Sequence, residues 1–190
     1  MNTKLINDID KQISDSLTDL PNVITNLSFS ESIEFNIESA NEIIDFDSMK
    51  FPGLYFFEVK NTQDIQNFTD WSTWFLEKWE YSHYKKSFTP NSRKMRLLAN
   101  KNSTNLQWIP LYLGKSRNVA KRIHQHINLE LKKPTFALKL KSRTNLTDLT
   151  FRVSTLKIDV VNYDIIMPNI ERALRNKYNP ILGKQWMLQN

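Results

Sequence analysis

Among the side chains of this 190-residue chain that can move protons or hold charge, five stand out by their setting: Tyr55, Tyr112, Arg122, His126 and Glu171. Arg122 and His126 lie four residues apart and share one helix face. That face borders the apolar stripe of Val119, Ile123 and Ile127, which places both residues at the rim of a core. A guanidinium grips phosphate oxygens with two parallel bonds, and an imidazole gives or takes a proton near neutral pH. Glu171 shares its helix with Arg172, Arg175 and Lys177. As a structural residue it would complement the helix start or pair with Arg175. As a functional one it would hold Mg²⁺ or Mn²⁺, hard cations that need only one or two protein carboxylates and keep several waters. Tyr55 closes the triplet Gly53-Leu54-Tyr55, and Tyr112 opens Tyr112-Leu113-Gly114. The plain reading of both is core packing with the hydroxyl bonded to a partner.

These residues need elements to position them. Leu5, Ile6, Ile9, Ile13, Leu17 and Leu20 recur at helical spacing, and Pro21 ends that run. Ile33, Phe35 and Ile37 alternate with polar residues as in a short strand. After Pro52-Gly53 the run 54–59 predicts a strand, and Ile65, Phe68, Trp71, Phe75 and Trp79 predict a helix over 64–81 with an aromatic core stripe. Residues 83–107 read as polar, basic loop or short helix, with a turn at Pro90-Asn91-Ser92. A second strand spans 108–113. Gly114 follows, then a helix capped at Ser116 and running to Leu131 before Lys132-Lys133-Pro134. Segment 135–148 shows no period. A third strand covers 149–158. A last helix starts at Pro168, a favoured first-turn residue, and closes at Asn179-Pro180.

Charge divides the chain unevenly. Residues 1–50 hold three Lys/Arg and ten Asp/Glu, a net of −7, and residues 51–190 hold 23 and ten, a net of +13. A basic body calls for a polyanion, nucleic acid first and an anionic membrane second. The acidic arm, residues 1–50, reads as a solvated helix or part of a dimer interface ahead of an internal mimic of DNA. Cys is absent, so disulfides and thiolate metal sites are excluded. No apolar run approaches the ~18 residues of a membrane span, and the N-terminus lacks the basic start and apolar stretch of a signal peptide. The expectation is a soluble, cytoplasmic protein.

Taken in order, the two triplets, Arg122 with His126, and Glu171 ahead of Asn179-Pro180 resemble the GIY-YIG nuclease family. Gly53-Leu54-Tyr55 resembles its first triplet and Tyr112-Leu113-Gly114 its second. Residues 51–60 and 108–185 carry the likeness. It implies an α/β (α+β) fold: a small, mainly antiparallel central sheet flanked by helices. To this the chain adds an N-terminal helical arm (1–50) and, within a nuclease domain of 51–190, an insertion at about 61–107. The likeness implies metal-assisted hydrolysis of DNA phosphodiester bonds, with Tyr55 as base, eased toward ionisation by Lys115 and Arg122. Tyr112 would position water, Arg122 would bind non-bridging oxygens, His126 would relay a proton or bind phosphate, and Glu171 would hold Mg²⁺ or Mn²⁺. Arg93, Lys94 and Arg96 of the insertion would contact DNA phosphates or guanine edges, and Lys115 and Asn179 would join in substrate binding. A compact nuclease with so large an insertion is most similar to a restriction-type, sequence-specific endonuclease. DNA is the expected partner, with no membrane and a possible homodimer. Two departures stand out: 56 residues separate the two tyrosines, and Gly183 stands where the family commonly has Asn. The second departure supports an alternative, a nucleic-acid-binding module that kept the fold without cleavage.

Overall fold

The computed structural model describes residues 3–86, 88–104 and 106–183; residues 184–190, the end of the expected nuclease domain, lie outside the described residues. Its centre is strand β2 (Gly53–Lys60), whose first seven residues are all buried. A strand covered on both faces reads as a continuous apolar run, as Leu54 to Phe57 does. β2 pairs antiparallel with β4 (Trp108–Ser116) and with β5 (Thr150–Lys157). β1 (Ile33–Asn36) completes a four-stranded antiparallel sheet in the order β1-β5-β2-β4. Residues 33–36, expected within the N-terminal arm, are thus an edge strand of this sheet. β3 (Asn91–Ser92) and β6 (Leu182–Gly183) form a separate two-stranded ladder that ties the insertion to the end of the described chain.

Side-chain alternation divides the sheet into two cores. Tyr55, Phe57 and Val59 face α3 (Phe68–Trp79) and α5 (Val119–Asn128), while Leu54, Phe56 and Leu113 face α6 (Tyr163–Tyr178) and the C-terminal end of α1 (Thr3–Ile24). A bulge keeps the second triplet in phase. Tyr112 lies opposite Phe57 and Pro110 opposite Glu58, which leaves Leu111 without a partner on β2. Tyr112 therefore projects to the same face as Tyr55. Pro110, which has no N–H, is tolerated because β4 is an edge strand. Across the sheet, Glu58 takes two bonds from Arg152, at 2.7 and 2.9 Å, and Arg152 also lies over Trp108.

The insertion is anchored by its aromatic helix. Asn67 caps α3 by accepting the Asp70 N–H, and Trp71, Phe75 and Trp79 stack in series. The buried Arg143 lies 3.7 Å over Trp79 and donates to the carbonyls of Leu138, Trp79 and Tyr84. Lys139 is buried too, and its ammonium donates to the Leu131 and Lys133 carbonyls. These two basic residues of segment 135–148 are structural pins and unable to reach a polyanion.

Several boundaries differ from the sequence reading. α1 runs three residues past Pro21. α6 begins at Tyr163, so Pro168 sits inside it, where its missing N–H leaves the Asp164 carbonyl without a helical bond. Asn118, not Ser116, caps α5, accepting the Lys121 N–H. The polar stretch 83–107 holds a short helix, α4 (Lys94–Asn100), one of the two forms expected of it. Among the described residues no helix is long and apolar enough to cross a membrane.

Candidate active site

Tyr55 and Gly114 face one another across the β2–β4 pair. The Tyr55 ring lies directly over Gly114: a Cβ at position 114 would meet Tyr55 Oη at 2.3 Å and Cζ at 2.6 Å. Glycine is required there by this close approach, without any unusual backbone angle. Tyr112 stacks beside Tyr55 with ring centroids 6.3 Å apart, and His126 of α5 packs against both rings.

His126 sits at 0% exposure. Its position is a correction to the expected rim location: the unpatterned chain at 137–140 is itself buried and covers the ring. His126 Nδ1 accepts the backbone N–H of Leu138 at 3.0 Å, and Nε2 lies 3.0 Å from Tyr55 Oη. A backbone N–H only donates, so Nδ1 must be unprotonated. Burial, helped by the Arg122 charge, holds the imidazole well below its usual range, so it is neutral at pH 7 with its proton on Nε2. Nε2–H then donates to Tyr55 Oη, and the phenolic proton of Tyr55 points elsewhere. Both ring nitrogens of His126 are engaged, by the Leu138 N–H and the Tyr55 hydroxyl, so none is left to grip a phosphate; it orients Tyr55.

The phenols are also unlike the expectation. Burial raises Tyr55 well above its ordinary value, with Tyr112 adding to the rise and Arg122 opposing it. Tyr112 is raised by burial, against the pull of Arg175 and Arg122. Both are protonated in the resting protein, so the eased ionisation expected of Tyr55 is absent. Arg122 is half-buried on α5, and its guanidinium donates to Gln125 Oε1 at 2.8 Å and to the Phe136 carbonyl. Lys115 does not serve Tyr55. It lies 5.5 Å from the Tyr163 ring centroid, and its charge acts on Glu171.

Glu171 approaches from the other face of the sheet, on α6. Its side chain is 14% exposed and is paired with Arg175 at 2.9 Å. Arg175 in turn donates from Nε and Nη2 to the Leu113 carbonyl, between Tyr112 and Gly114. Glu171 and the tyrosines therefore meet around the edge strand β4, close enough that the carboxylate raises both phenols. Burial raises the Glu171 carboxyl itself, against the pull of Arg175 and Lys115.

Among the described residues no three His, Cys, Asp or Glu side chains converge on a metal position. A single hard carboxylate beside a pocket nonetheless suits a cation that retains waters and takes its remaining oxygens from substrate. That pocket holds about 270 Å³ and is lined by Arg93, Arg96, Glu171, Arg172, Arg175 and Gly183 among others. Glycine is not demanded at 183, where a Cβ would have ordinary contact with Arg93 Cγ at 3.5 Å.

The insertion residues separate. Arg93 and Arg96 line the pocket, while Lys94 is exposed and is not part of it. Asn179, in the left-handed conformation that ends α6, accepts Arg96 Nη1 at 2.6 Å; it positions Arg96 and does not line the pocket. Two participants carried little signal in the sequence. The Leu138 N–H is backbone, twelve residues from His126. Arg175 was visible only as a partner for Glu171, and its hold on β4 is a tertiary contact. Comparison of the chain with protein-family models, with characterised proteins and with solved structures gives no match.

Proposed function

We propose that the protein is a divalent-metal-dependent endonuclease that hydrolyses DNA phosphodiester bonds, a restriction-type enzyme acting in the cytoplasm. The observation that carries this reading is the convergence around β4 of Tyr55, Tyr112 and Arg122 with Glu171, each on a different turn or element. The locked His126 fixes the Tyr55 hydroxyl so that its proton is presented away from the imidazole. Tyr55 is a hydrogen-bond donor at rest. Arg122 already pulls its phenol downward, and added positive charge at the site would bring it further toward a base. Arg122 would stabilise the charge that builds on a phosphate in the transition state. Glu171 would hold Mg²⁺ or Mn²⁺, which supplies Lewis-acid stabilisation of the leaving oxygen when bound.

One observation favours a second reading, a nucleic-acid-binding module without cleavage. Arg175 already neutralises Glu171, and Gly183 stands in the pocket where the resembling family has Asn. Incubating the purified protein with plasmid and genomic DNA, with and without Mg²⁺, separates the two. The endonuclease reading expects Mg²⁺-dependent cleavage. DNA binding with intact plasmid across a range of Mg²⁺ and Mn²⁺ concentrations supports the binding module instead.

A further inference from the structure

The pocket beside Glu171 draws its walls from two distant parts of the chain. Arg93 and Arg96 come from the insertion, and Arg172 and Arg175 come from α6. Four arginines and one carboxylate line it, and that carboxylate is already engaged by Arg175. Arg96 is held by neutral partners: Nη1 and Nη2 donate to the side-chain oxygens of Asn179 and Asn176, each at 2.6 Å, and among the described residues no carboxylate pairs with it. Neutral amides fix its direction and leave its charge whole. The same crowding, burial together with the charges of Arg93 and Arg175, pulls the Arg96 guanidinium below its usual range. Like charges gathered at this density repel one another, and a bound anion relieves the repulsion. The planar fork of Arg suits an oxyanion that can take paired bonds, phosphate among them.

We propose that this pocket is a phosphate site in which Arg96 and Arg172 grip one phosphate of a nucleic-acid strand beside Glu171. The insertion then supplies part of the chemical site itself and does more than read the target from a distance. The identity of the phosphate's owner rests on the nuclease reading; the pocket's capacity for phosphate does not.

The test titrates the full-length protein with inorganic phosphate, without divalent cations, by calorimetry, and repeats it for Arg96→Gln and Arg172→Gln. Binding of a short DNA duplex is measured in parallel as a function of salt. Arg172 is exposed, so its variant carries the test if Arg96→Gln fails to fold. The expected result is one phosphate site, weakened about tenfold by either substitution, the loss typical of one charged hydrogen bond. Phosphate should compete with duplex, and each substitution should reduce the salt slope of duplex binding by about one. Unchanged phosphate affinity and salt slope in both variants overturn the proposal. Phosphate binding that does not compete with duplex overturns its assignment to nucleic acid and leaves a site for free anion. Loss of phosphate binding in the variants of a protein that never cleaves DNA upholds the pocket and removes the nuclease reading. Wild-type cleavage by both variants, with no phosphate bound by any form, does the reverse.

Discussion

The two sides of β4 handle chemistry in opposite ways. On one face Tyr55, Tyr112 and His126 are buried, neutral and aligned by a backbone N–H. On the other, Glu171, Arg172 and Arg175 line an open pocket where charge dominates. Proton-carrying groups gain directionality from burial, because burial removes alternative partners and fixes a tautomer. Groups that meet a polyanion must stay where the ligand can reach them. The edge strand lets the two environments touch without mixing: Gly114 leaves room for the Tyr55 ring, and the Leu113 carbonyl anchors Arg175.

Metal removal should have the largest effect on this division. On the endonuclease reading, chelation with EDTA should eliminate cleavage in a plasmid assay while gel-shift affinity for DNA stays within a fewfold, since the proposed phosphate grip of the arginines needs no cation. Arg122→Ala should come next, lowering the single-turnover rate by about two orders of magnitude, the loss seen on removing a preorganised charge-stabilising group. A rate within a fewfold of wild type would show that Arg122 only ties α5 to Phe136.

Gly114→Ala attacks the seam between the faces. The added Cβ must displace a buried aromatic ring, so stability should fall by about 1–3 kcal/mol in urea unfolding, the usual cost of overpacking. Cleavage should fall further than stability explains, because the Tyr55–His126 bond is lost. An equally stable, equally active Ala variant would mean that the ring has somewhere else to go.

The smallest effect is a pH dependence. His126 binds its proton less readily folded than unfolded. Its contribution is therefore complete above the unfolded value near ~6.5 and is lost as pH falls through the folded one, with a slope of at most about 1.4 kcal/mol per unit. Glu171, raised by burial, contributes with the opposite sign, so the difference between wild type and His126→Asn is the informative curve. That difference should narrow between pH 7 and 5 in denaturant titrations; a constant offset would mean that His126 is not held neutral.

Sequence periodicity located the strands and helices that carry all five central residues, because β2, β4, α5 and α6 each have a clear apolar pattern. It failed where pattern ends. Segment 135–148 has no period, so nothing announced that Leu138 covers His126 or that Lys139 and Arg143 turn inward to backbone carbonyls. Pro168 read as a helix start, whereas tertiary packing of Tyr163 and Met167 extends α6 upstream through it. The arginine pocket joins residues about 80 positions apart, and that closeness follows from Arg96 bonding the end of α6 and from the β3–β6 ladder.

Glu171→Gln separates a carboxylate proposed to serve cleavage from arginine neighbours proposed to serve binding. Single-turnover cleavage and DNA affinity should be measured on the same preparation in Mg²⁺. Cleavage should disappear while affinity stays within a fewfold of wild type. Undiminished cleavage by the purified variant would contradict that division of roles.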